Sequence, residues 1–139
     1  MKIYNWFIFI LLFFEIGCNS RLVKPEIELL NGYWRIDFIS QKNETFRPEG
    51  ITKLLDYYSL EKNIGVRKKV EPLINNNFII TEDQNPFRIV DNGKDYFLQF
   101  ETRWDQWREK IIKLNKSELV LEHQEKKYHY IRFVKDLEL

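Results

Sequence analysis

The chain has 139 residues with 22 Lys+Arg against 21 Asp+Glu, so it carries no net field that would collect nucleic acid or an acidic surface. Its single cysteine excludes an intramolecular disulfide framework, and stability must come from packing. A composition 44% hydrophobic and 16% aromatic can build that core, and the lack of any alanine beside abundant Ile, Val, Tyr, Phe and Trp favours strands.

Residues 1–17 open with Lys2, continue as an apolar run from Ile3 to Phe14, and end in Ile16-Gly17 directly before Cys18. A charged start, a short greasy middle and a small residue at the cut are the parts of a secretory signal. The run is shorter than the ~20 apolar residues that cross a bilayer. Gly17-Cys18 resembles the lipobox of bacterial lipoproteins, with Glu15 where that pattern has an apolar residue. The resemblance implies acylation of the Cys18 thiol, cleavage before it, and attachment to a membrane of the bacterial cell envelope. Asn19, in place of an aspartate, favours the outer membrane. An ordinary buried thiol and an uncleaved anchor are the competing readings. The expected organisation is a signal peptide over 1–17, a lipidated N-terminus and tether over 18–30, and one domain over 31–139.

From Gly32 to Ser40 apolar residues alternate with polar ones, which places Trp34, Ile36 and Phe38 on one face of a strand. Lys42-Asn43-Glu44 and Pro48-Glu49-Gly50 read as loops. Lys53 to Leu60 reads as a strand, although Ile51, Leu54, Leu55 and Tyr58 also fit a helical stripe over 50–58. A turn over Glu61–Gly65 leads to a strand from Val66 to Leu73. Phe78 to Glu82 and Phe87 to Val90 read as two strands separated by Asn85-Pro86. Asp91-Asn92-Gly93 is a hairpin signal, followed by a period-two face through Tyr96, Leu98, Phe100, Thr102 and Trp104. Arg108 to Leu114 (weakly ambiguous with helix), Glu118 to His123 and Lys127 to Val134 complete about eight or nine short strands, a series that predicts an all-β antiparallel barrel or sandwich.

Leu30-Asn31-Gly32-Tyr33-Trp34-Arg35-Ile36 resembles the first strand of lipocalin-type barrels, whose signature is Gly-x-Trp. Leu119-Val120-Leu121 with Tyr128-His129-Tyr130-Ile131-Arg132-Phe133 is similar to the closing hairpin of small bacterial lipocalin-like domains. The resemblance implies an up-and-down β-barrel of about eight strands, with Arg132 covering Trp34 and closing the last strand on the first. It also implies a small apolar ligand inside the barrel. Candidate lining residues are Trp34, Phe38, Tyr58, Phe100 and Trp104, with aromatics that simply fill the interior as the alternative. Alternation further places Lys68 with Val66 and Val70, so Lys68 is a candidate inward anchor for a ligand carboxylate or phosphate; a bulge or a lysine snorkelling to the rim is the plainer reading.

No catalytic or cofactor motif is present: there is no Gly-x-Ser-x-Gly, phosphate loop, dinucleotide fingerprint or His-Glu-x-x-His. His123 and His129 without further ligands make a poor metal site. Trp104 and Trp107 flank a polar turn, either as lids over the core or as a surface for a sugar or a protein. The sequence therefore reads as a lipid-anchored envelope binding protein and not an enzyme. The alternative is an envelope protein-interaction module with a filled barrel.

Overall fold

The computed structural model describes residues 26–48, 54–75 and 77–135. The expected signal peptide, Cys18 and most of the expected tether lie outside these residues. Within them a 3-10 turn, Ile27–Leu30, precedes nine antiparallel strands: β1 Gly32–Gln41, β2 Glu44–Phe46, β3 Leu55–Glu61, β4 Ile64–Pro72, β5 Phe78–Asp91, β6 Tyr96–Glu101, β7 Gln106–Leu114, β8 Glu118–His123 and β9 Lys126–Phe133. β1 pairs with β2 and with β3, from β3 onward each strand pairs with the next, and β9 returns to pair with β1 from Tyr33↔Phe133 to Gln41↔Lys126. The result is a closed eight-strand antiparallel barrel of the expected lipocalin-like kind. β2 is a short flap on the far end of β1.

Turn chemistry explains the short connections. The Asn92 and Asn115 side chains accept hydrogen bonds from backbone N–H groups two or three residues on, which fixes a chain reversal locally. Gln124 and Glu125 both have positive φ, the turn geometry whose twist matches that of paired strands. Pro86 does not break β5 into the two strands expected. Pairing to β6 starts only at Phe87, so at Pro86 the strand has β4 on one side alone and the missing N–H leaves no ladder bond unmade. From Leu55 onward the 50–58 segment is strand, and residues 50–53 lie outside the described residues.

Alternate turns divide the barrel into two ends. Lys62-Asn63, Asn92–Asp95 and Asn115–Ser117 lie at the end where β1 begins, and the 3-10 turn closes it. Leu30, Trp34, Leu98 and Leu119 are fully buried there. Trp34 Nε1 donates to the Leu30 carbonyl at 2.9 Å. The Arg132 guanidinium lies 4.1 Å from the Trp34 ring centroid. It also donates to the carbonyls of Leu29, Asn31 (2.9 Å) and Lys116 (2.5 Å), so one cation satisfies three backbone acceptors at the barrel's floor. Gly32 is required in this arrangement. Its φ is +119°, and a Cβ would lie 2.8 Å from Arg132 Nη1.

Two features move residues to faces that strict alternation does not predict. A bulge at Asp37 separates the pairs Ile36↔Tyr130 and Phe38↔His129 and reverses the parity of β1. Phe38 is thereby turned to the outer face, where it stacks on His129 (4.0 Å between centroids) under Arg47. The second feature is an outer layer. Leu55 and Val70, cross-strand partners on the outside of the barrel, are each only 2% exposed. The far part of the β4–β5 hairpin reaches back across this surface, and Phe78 stacks on Tyr33, which also contacts Tyr57.

Candidate functional site

Toward the open end the lumen changes character. The β3–β4 turn pairs Tyr58 with Arg67 and Asp56 with Lys69, and all four share the inner face with Trp34. Arg67 therefore points inward, and Lys68, its neighbour, faces out beside Tyr57. The sequence expectation of an inward cation on β4 falls on the wrong residue. Val66 and Val70 do share a face with Lys68, but it is the outer face, and Val70 is buried by the β4–β5 hairpin and not by the lumen.

Arg67 crosses the barrel to β7, where its Nη1 donates to both carboxylate oxygens of Glu109 at 3.1 Å. Trp107 Nε1 donates to the same carboxylate at 2.9 Å. The guanidinium lies 4.3 Å from the Phe100 ring centroid, and Phe100 stacks on Trp107 at 4.7 Å. Next to this pair, Lys69 Nζ meets Asp56 Oδ1 at 2.5 Å. Asp56 is nearly inaccessible and Lys69 reaches partly to water, so the second pair sits at the rim of the first. Beneath them, Phe87 packs edge-on against Tyr58 and tilted against Phe100, filling the lower lumen with rings. Gly65 makes this possible, because a Cβ there would strike the Phe87 ring at 2.5 Å.

The electrostatics follow from this packing. Burial pushes the Tyr58 hydroxyl far above its ordinary range, with Arg67 pulling it back and Asp56 and Glu109 raising it further. For Arg67, burial opposes the charge, but Tyr58, Glu109 and Asp56 outweigh it and hold the guanidinium protonated. Burial likewise raises Tyr130, which also feels Tyr58, Asp56 and Arg67. The buried Tyr58 hydroxyl and the Arg67 guanidinium are partners of each other, across the β3–β4 pair that sets the two residues opposite. From Tyr130 the inner face of β9 continues to Tyr128, which lines an open cleft of about 640 Å³ with Ile39, Gln41, Glu44, Thr45, Phe46 and Lys126.

The candidate residues thus separate. Tyr58 and Phe100 lie together at the base of the charged cluster. Trp34 lies under Arg132 and is the cross-strand partner of Asp56. Phe38 and Lys68 are on the outer surface. Trp104 belongs to the β6–β7 turn and not to a continued strand face, because Thr102 accepts from Asp105 N–H and reverses the chain. It is 87% exposed, with Arg103 against its ring. Sequence reading missed Asp56, Arg67, Lys69, Glu109 and Tyr130. A two-residue turn at Lys62-Asn63 would have set Tyr58 opposite Arg67 and exposed the inward charges. Among the described residues no group of His, Cys, Asp and Glu could hold a metal ion.

No family model matches the chain, and no curated protein does. Among solved structures, a lipocalin-like protein from Bacteroides uniformis is similar at a TM-score of 0.46 and 13% identity, over 76% of this chain and 99% of that one. An uncharacterised protein from Bacteroides eggerthii gives 0.47 and 7%, over 75% and 99%. Apocrustacyanin C1 gives 0.47 and 11%, over 84% and 68%. The fold assignment rests on the strand order and closure of the barrel itself.

Proposed function

We propose that this chain is a binding module of the bacterial cell envelope that holds a small apolar or amphipathic molecule at the mouth of its barrel. The observation that carries the reading is the change along the lumen. A solid aromatic floor gives way to a buried polar cluster, and the inner face then runs out along Tyr128 to an open cleft of about 640 Å³, within the range of small-molecule sites. Buried ion pairs are not an economical way to stabilise a core, so a set of them above an apolar floor fits recognition better than packing. The pattern over residues 1–18 supports lipid attachment at Cys18, with the outer membrane as the favoured address, and two or more acyl chains would make that attachment stable.

One observation favours a second reading, a protein-interaction module with no small ligand: the exposed indole of Trp104 on the rim is the kind of anchor that protein interfaces use. Native mass spectrometry of the protein, purified gently from its own envelope extract, separates the two. A bound mass lost on denaturation supports the carrier. A clean apo mass, with Trp fluorescence unmoved by a lipid panel, supports the interaction module.

A further inference from the structure

We infer that the ligand of the open cleft is a zwitterionic amphiphile: an apolar body whose polar head carries one cation and one anion. The inference rests on the binding reading above and deepens it. It is carried by the order of side chains across the three strands that form the cleft.

At this end β1 stands between β2 and β9, so Gln41 and Ile39 each have a cross-strand partner on both sides. The row at the rim reads Glu44, Gln41, Lys126, and the row one layer deeper reads Phe46, Ile39, Tyr128. Both rows line the same cleft of about 640 Å³. The deeper row is apolar apart from the Tyr128 hydroxyl, and Phe46 is 61% exposed, so an apolar body laid there removes ring surface from water. The rim row is the polar counterpart. It sets a carboxylate and an ammonium two strand spacings apart, roughly 10 Å between their backbones. The Gln41 amide stands between them with both a donor and an acceptor. Among the described residues, neither the Glu44 carboxylate nor the Lys126 ammonium has an ion-pair partner. Asp56 and Lys69, on directly paired positions of adjacent strands, do meet; here the interposed β1 holds the two charges apart. An anionic head would pair with Lys126 and leave Glu44 facing a like charge, and a cationic head would do the reverse. A head of both signs uses the whole row, its anion toward Lys126, its cation toward Glu44 and Gln41 bridging the middle.

Lysophosphatidylethanolamine and lysophosphatidylglycerol with one short acyl chain share body and phosphate and differ by the ammonium. Each is titrated below its micelle concentration, by isothermal titration calorimetry, into the purified full-length chain and into its Glu44→Gln and Lys126→Gln variants. Both side chains are exposed, so neither substitution threatens the fold. The ethanolamine lipid should bind the native chain about fivefold more tightly than the glycerol lipid, the increment of one rim ion pair. Glu44→Gln should erase that gap, and Lys126→Gln should weaken both lipids by a similar factor. A native ratio near one, or a gap that survives Glu44→Gln, overturns the zwitterion inference and leaves the binding reading standing. Phenylalanine, a zwitterion with a small body, is titrated in parallel; binding that needs both Glu44 and Lys126 supports the inference and moves the source from lipids to amino acids. If none of the three binds, the binding reading fails and this inference with it.

Discussion

The two ends of this barrel use the same residue types for opposite purposes. At the closed end a single cation, Arg132, lies over the Trp34 indole and spends its donors on three backbone carbonyls. No carboxylate is needed there, because the acceptors are neutral and the guanidinium edge meets water at the barrel's base. At the open end Arg67 also lies over an aromatic ring, Phe100, but it faces a carboxylate carried by the opposite wall. The first arrangement closes a fold. The second holds charges in the lumen that a purely structural core would omit.

The comparison can be broken most forcefully at the closed end. Trp34→Ala removes a fully buried indole together with its hydrogen bond to Leu30, and should cost about 3–5 kcal/mol in urea unfolding. A loss under ~1 kcal/mol would mean that the floor of the barrel is not built around Trp34.

At the open end the single and double variants should disagree. Glu109→Ala strands Arg67 and should destabilise by about 3 kcal/mol, whereas Arg67→Met with Glu109→Leu should come out neutral or more stable than the native chain. The same chemical unfolding series measures both. A double variant as unstable as the single one would make the pair a structural element and remove the contrast between the ends.

The smallest effect is a pH dependence outside the lumen. Burial, helped by Lys127, lowers the His129 pKa below its ordinary value, against the pull of Asp37 and Glu118. The unfolded chain therefore binds the proton more readily than the folded one. Stability from this group is complete above the ordinary histidine value near pH 6.5 and declines as pH falls toward and through the lower folded value. Thermal unfolding followed downward from neutral pH should show that slope, and His129→Gln should flatten it, with Phe38 losing its stacking partner at all pH values.

Much of the architecture was legible in the chain. Period-two runs separated by Asn-, Asp- and Gly-containing turns were enough to read strands and an all-β barrel, because a strand's alternation and a turn's backbone demands are local properties. The pairing of the Gly-x-Trp start with an arginine near the end was also open to reading, since few side chains can cover an indole and satisfy free carbonyls at once. The inner lining of β4 and of the upper part of β1 was not. Alternation says which residues share a face, but not which face is inside. A single bulge at Asp37 turned Phe38 outward, and burial of Val70 beneath the returning β4–β5 hairpin made the outer face of β4 look like the inner one. Arg67 and Glu109 are 42 positions apart on non-adjacent strands, and nothing near either residue marks the other. They meet because the ring closes and brings β4 and β7 across one lumen, so the charged mouth is a product of closure and register and not of any local pattern.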